Sequence, residues 1–133
     1  MSETTLMSYV SPELIQSYQV WTADAVARMR ALTAEWRAKH RPGDDARQHI
    51  YEIAHNVKGM GSSFGHPLMT DAGRSLSAYL RLKPGAADEL RVIEAHIDAL
   101  ERILALGPGS HDGMYEQLVA PLHLLTGLAP MDS

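Results

Sequence analysis

The sequence predicts an all-α protein, an antiparallel four-helix bundle with an additional C-terminal helical segment. Three observations lead there. Ala and Leu are the two commonest residues while Val and Ile are comparatively few, a balance that favours helix over strand. Apolar residues recur at helical spacing, with no sustained alternation between hairpin turn signals. Clusters of Pro and Gly (Arg41-Pro42-Gly43, Lys83-Pro84-Gly85 and Gly107-Pro108-Gly109) punctuate the chain at helix-sized intervals.

Each element has its own signals. Ser11-Pro12-Glu13 opens the first helix, with serine as N-cap, proline at the first helical position and an acid in the first turn. Leu14, Tyr18, Trp21, Ala25, Met29, Leu32 and Trp36 then form one apolar stripe, so the helix runs from about Pro12 to Lys39 with both tryptophans as core anchors. The second helix starts at Asp44 or Asp45, either a suitable cap, and runs to about Phe64. Its apolar face is Ile50, Ile53, Val57, Met60 and Phe64, with Ala54 and Gly61 at the edge. The third starts near Pro67 and carries Leu68, Met69, Ala72, Leu76, Tyr79 and Leu80. The fourth spans about Ala86 to Leu106, with Leu90, Ile93, Ile97, Leu100 and Leu104 in phase. A weaker helix spans about Gly113 to Thr126 and is interrupted or kinked at Pro121. Residues 1–10 and 127–133 are expected to be flexible ends around a single domain of residues 11–126.

Composition narrows the function classes. At 133 residues, 45% hydrophobic and 21% charged, one core suffices to fold a domain. With no cysteine, disulfides, cysteine-ligated zinc, iron–sulfur clusters and thiol catalysis are excluded. Twelve Lys and Arg against 16 Asp and Glu give a net charge of −4, which does not favour nucleic acid as a partner. The first residues carry no basic, apolar leader, and the longest uncharged stretch contains Pro121, Gly127 and Pro130, so neither a secretory signal nor a membrane span is expected. A cytoplasmic location follows as the expectation.

One segment carries more than scaffold. On the second helix His55 points roughly 170° away from the mean of the apolar face. It is therefore expected to be exposed, with Lys58 one turn away on one flank, Gly59 one turn away on the other and Ser62 two turns along. Glycine inside a helix costs about 0.5–1 kcal/mol relative to alanine, and this helix has two within a turn, Gly59 and Gly61. Gly61 borders the apolar face, where it permits close packing. Gly59 does not, and a bare backbone beside an imidazole allows something large to approach the ring. A nucleophilic histidine, a neighbouring cation and a cleared approach suit a phosphoryl group carried on a ring nitrogen.

The run His55-Asn56-Val57-Lys58-Gly59-Met60-Gly61-Ser62-Ser63-Phe64-Gly65 resembles the signature of histidine phosphotransfer (HPt) domains: histidine, lysine at +3, glycine at +4, small residues, then an apolar residue and glycine at +10. The resemblance implies a four-helix bundle that accepts a phosphoryl group from the aspartate of one receiver domain and passes it to another. It implies His55 as phosphoacceptor, Lys58 as the phosphate-stabilising cation, Gly59 as the clearance residue and Gly65 as a structural residue shaping the helix end. It implies receiver domains and a hybrid histidine kinase as partners. No cofactor of its own is needed, since the receiver would supply Mg²⁺. No kinase core is present, so a carrier is expected rather than an enzyme. The exposed neighbours Gln48, Tyr51, Ser62 and Arg47 are expected to contact the receiver, and the mixed surface suggests a monomer. The segment after Gly109 is not explained by the family pattern.

Other readings are weaker. Gly59 to Gly65 is no phosphate-binding loop, because no strand precedes it and no Gly-Lys-Ser/Thr follows. The remaining histidines show no metal-ligand spacing, so no metal site is expected. His66, at a helix junction, is a candidate for capping or for the border of the site. Ser62 and Ser63 lack triad partners. A ligand-binding bundle would need inward-facing polar residues, and the stripes show almost none. The alternative function is a helical adaptor that docks receiver or kinase domains without carrying phosphate.

Overall fold

The computed structural model describes residues 11–109 and 111–128, and all regular structure within them is helical. The elements are α1 (Pro12–Lys39), α2 (Ala46–Ser63), α3 (Pro67–Leu82), α4 (Glu89–Leu106), α5 (Tyr115–Leu118) and α6 (Ala120–Thr126). The first four close a ring in which each packs on its sequence neighbour and α4 returns to α1. Short connections between apolar stripes leave an antiparallel bundle as the way to bury all four faces. The segments expected to be flexible at residues 1–10 and 129–133 lie outside the described residues, whereas Leu128 is half-buried against the core.

α1 begins as its sequence predicts. The Ser11 hydroxyl accepts the Leu14 N–H at 3.1 Å and Pro12 occupies the first turn. It ends at His40, which adopts a left-handed φ of 58°. Its buried face is Tyr18, Thr22, Val26, Met29, Thr33 and Trp36, a stripe rotated by roughly 50° from the expected one. Leu14 is 54% exposed and Trp21 is half-buried, so Trp36 sits in the core and Trp21 packs against it only in part. The two threonines can be buried because each hydroxyl bonds back to its own helix, Thr22 to the Tyr18 carbonyl and Thr33 to the Arg30 carbonyl.

α2 starts without the expected aspartate cap. Asp45 is left-handed, with φ of 60°, and its side chain makes no capping bond. Caps normally use extended backbone, which aims the side chain at the first turn. The buried face of α2 is Ala46, Ile50, Ala54, Val57 and Gly61, while Ile53, Met60 and Phe64 are half-buried. Small residues define this face because α3 presses against it. A Cβ on Gly61 would stand 2.7 Å from the Thr70 hydroxyl and 3.0 Å from the Thr70 nitrogen. A Cβ on Gly73 of α3 would stand 3.0 Å from the Lys58 nitrogen and 3.1 Å from the Ala54 carbonyl. The two helices touch backbone to backbone, and this is the most extensive helix contact in the molecule. Gly65, with φ of 63°, makes the turn between them that an L side chain would strain.

α4 begins at Glu89, three residues later than expected. Glu89 is buried, and its carboxylate accepts the Arg47 Nε at 2.6 Å and the Gly85 N–H at 3.0 Å. On the outer seam between α1 and α4, Arg30 pairs with Asp98 and Glu101, and Arg37 with Glu94. Beyond α4 the expected single helix is two, broken at Val119 because Pro121 has no N–H to donate to a carbonyl one turn earlier. Leu118, Val119 and Leu122 join the core, and Lys83 Nζ donates to the Thr126 carbonyl at 2.7 Å, tying the end of α6 to the end of α3.

The interior is more polar than the stripes suggested. His96 on α4 is fully buried, bonded at 2.8 Å both to the Ser75 hydroxyl and to the Val92 carbonyl. His66 is buried against the Tyr18 hydroxyl at 2.9 Å through Nδ1. Burial holds each imidazole well below its usual range, at about 4, with His111 adding to the effect on His66. Both ring nitrogens of His96 are satisfied by those bonds, whereas His66 bonds through Nδ1 alone and its buried Nε2 meets no partner among the described residues.

Candidate functional site

α2 is fixed against α3 by the contacts at Gly61 and Gly73, and this determines which of its side chains face outward. His55 is exposed, as its place on the wheel predicts. Because the buried face is rotated, the ring lies roughly 140° from the core direction and leans toward α3. Side chains on a helix tilt toward its N-terminus. Lys58, half-buried at the α2–α3 edge, therefore extends back toward the turn that bears His55. Gly59 lies on the exposed face, where an added Cβ would meet nothing within 4 Å. No packing within the described residues calls for a glycine there.

His55 opens into a shallow cleft of about 180 Å³ lined by Tyr51, His55 and Lys58 of α2 and by Ser77, Ala78 and Arg81 of α3. Tyr51, one turn before His55, lies with its ring centroid 6.1 Å from the imidazole and 21° from parallel to it. Arg81, in the last turn of α3, is exposed and makes no side-chain hydrogen bond or ion pair among the described residues. The Ser77 hydroxyl is occupied, donating to the Arg74 carbonyl at 3.1 Å. Two cations from different helices thus share one small cleft with an exposed imidazole, an arrangement suited to an anionic group on that ring.

The sequence-predicted residues divide. His55, Lys58 and Tyr51 meet in the cleft, and Gly59 and Ser62 continue the same exposed ridge. Gln48 is exposed and bonded to Glu52 at 3.1 Å. Arg47 pairs with buried Glu89 and lies 5.5 Å from the Trp36 ring, and with Gln48 and Tyr51 it lines a neighbouring cleft. Gly65 has a positive φ in the turn between α2 and α3. His66 stands at the start of α3 but makes no side-chain capping bond, and its ring is committed to Tyr18. Arg81, Ser77 and Gly73 were missed. Their relation to α2 is a matter of helix register, and the one visible signal was an Arg near a helix end facing no acid one turn away.

A groove of about 660 Å³ lies between α1 and α2 on the other flank of α2 and is lined by Trp21, Arg28, His49, Glu52, Ile53 and Asn56 among others. It does not include His55. Among the described residues no three His, Asp or Glu side chains gather as a metal-holding group. No helix among them is long and apolar enough to cross a membrane.

A helical bundle that exposes one histidine beside a lysine, an open glycine and a second helix's arginine has the features of a phosphotransfer domain. The Hpt domain family matches residues 13–129, most of the chain, and the protein belongs to that family. The match runs through α5 and α6, so the segment after Gly109, which the sequence reading left outside the family pattern, falls within it. No curated protein and no solved structure matches the chain. Domains of this family are phosphocarriers rather than kinases and interact with receiver domains and kinases.

Proposed function

We propose that this protein relays a phosphoryl group between receiver-domain aspartates through a phosphohistidine at His55, with a hybrid histidine kinase upstream. The observation that carries the reading is the exposed imidazole flanked by Lys58 and Arg81, with nothing above Gly59 to block a partner.

The chemistry is a reversible displacement. A ring nitrogen of His55 attacks the phosphorus of an aspartyl phosphate on the receiver. The N–P bond forms, the acyl O–P bond breaks and the aspartate leaves as carboxylate. The proton on the other ring nitrogen stays in place, so the step needs no general base from this chain. The receiver is the partner that would hold Mg²⁺, whose role is to neutralise charge on the transferring group. Lys58 and Arg81 do the corresponding work on this side of the interface. A unit charge about 4 Å from a phosphoryl oxygen is worth about 1 kcal/mol in open water and about 4 kcal/mol in a partly desolvated interface. Docking therefore strengthens the two cations at the moment of transfer. Gly59, Ser62 and Gln48 form the exposed ridge on which the receiver would seat, with Arg47 beside it, held by its ion pair to Glu89.

The test is transfer of label from phosphorylated receivers to wild type and to His55→Gln. Acid-labile, alkali-stable label on wild type alone is the expected result. Binding without transfer to wild type from any receiver would overturn the carrier reading in favour of an adaptor.

A further inference from the structure

We infer that Tyr51 is a positioning residue, which holds the His55 imidazole in one orientation for transfer. The inference rests on the reading of His55 as the phosphoacceptor.

The imidazole is asymmetrically walled. One turn toward the N-terminus stands the Tyr51 ring, 6.1 Å away between centroids and nearly parallel, within the range over which aromatic rings attract. One turn toward the C-terminus stands Gly59, with open space where a side chain would be. Because helical side chains tilt toward the N-terminus, His55 leans into the wall and leaves its other side clear. Tyr51 is itself anchored. It is half-buried, packs against the core, and closes a second cleft with Leu80, Arg81 and Pro84. An exposed helical histidine without such a neighbour distributes over two staggered χ1 wells, the third being closed by the preceding turn, and over two χ2 orientations, and only the combination that presents the reactive nitrogen to the partner is competent. The transfer rate scales with that fraction. The ring supplies the wall, so the hydroxyl is dispensable.

The experiment compares wild type, Tyr51→Phe and Tyr51→Ala in single-turnover transfer from a phosphorylated receiver over a range of receiver concentrations. It also measures His55 χ1 populations from NMR three-bond couplings. At saturating receiver, where any loss of docking affinity is overcome, Tyr51→Ala is expected to slow transfer about three- to tenfold. Tyr51→Phe is expected to stay within about twofold of wild type. The couplings should show one dominant rotamer in wild type and in Tyr51→Phe, and averaging in Tyr51→Ala. Unchanged rotamer populations in Tyr51→Ala would overturn the inference. So would a loss confined to affinity, which makes Tyr51 a docking contact, or an equal loss in Tyr51→Phe, which makes the hydroxyl the active part. If His55 is not the acceptor, transfer is absent or equal in all three proteins, while the couplings still report whether Tyr51 orders the ring.

Discussion

Gly59→Ala should make the protein more stable and a worse carrier. Alanine is favoured over glycine in a helix interior by about 0.5–1 kcal/mol. At Gly59 nothing opposes that gain, because the added Cβ has no neighbour within 4 Å. For a domain of this length the gain corresponds to about 2–4 °C in Tm, readable by circular dichroism melting and by urea titration. Gly61, two residues on, is the internal control. Its Cβ would meet the Thr70 hydroxyl at 2.7 Å, the Thr70 nitrogen at 3.0 Å and the His66 carbonyl at 3.3 Å. Overpacking of about 1–3 kcal/mol exceeds the same propensity gain, so Gly61→Ala should melt lower. Transfer separates the two roles further. Gly59→Ala should slow phosphotransfer, and the bulkier Gly59→Gln should slow it about 10- to 100-fold, the scale of a misplacement of about 1 Å at a reacting centre. A Gly59→Gln protein that is stabilised and transfers at the wild-type rate would refute the assignment of Gly59 as clearance for a partner.

Three other expectations follow from the same geometry. Gly73→Ala should destabilise by about 1–3 kcal/mol, because its Cβ would press on the backbone of α2 at Ala54 and Lys58; a rise in the urea midpoint would contradict the backbone contact. Stability should fall as pH drops from about 6.5 toward 5, because His66 and His96, held at about 4 when folded, take up protons first in the unfolded chain. The loss is on the order of 3 kcal/mol for the two rings together, and a flat profile over that window in urea titrations would show that the two rings are not buried neutral. Arg81→Ala should leave stability within about 0.5 kcal/mol, since the side chain is exposed, yet slow transfer at saturating receiver; unchanged transfer would remove Arg81 from the site.

Much of this architecture is legible in the sequence because helix punctuation is local. The Ser11-Pro12 start of α1, the turn at Gly65 and the break at Pro121 are each decided by one or two residues whose backbone permits little else. The faces of α1 and α2 were harder to read. Hydropathy weights Leu14, Trp21, Met60 and Phe64, whereas the structure buries Thr22, Thr33, Ala54 and Gly61. Small and hydroxylated residues are buried where helices come closest, and a sum over side chains does not register that. Asp45 shows the same gap at a helix start, since its residue type suits a cap but its left-handed backbone does not. The candidate site was visible as far as it lies on one helix, where His55, Lys58 and Gly59 are related by the helical repeat alone. Arg81 and Ser77 reach the same cleft from α3, and their spacing from His55 depends on how two helices pack.

The contact of Gly73 with the backbone of α2 has a consequence for how such a protein can change. Where two helices meet through side chains, each substitution at the seam shifts one axis relative to the other. Here main chain lies against main chain beside Ala54 and Lys58, so α2 and α3 behave as a single plank. One helix of it carries His55 and Lys58 and the other carries Arg81, all three around one cleft. The separation of the imidazole from its two cations is then insulated from substitutions in α1, α4 and the C-terminal helices. Those elements are free to diverge in stability and in outer surface while the spacing of charge around His55 stays constant.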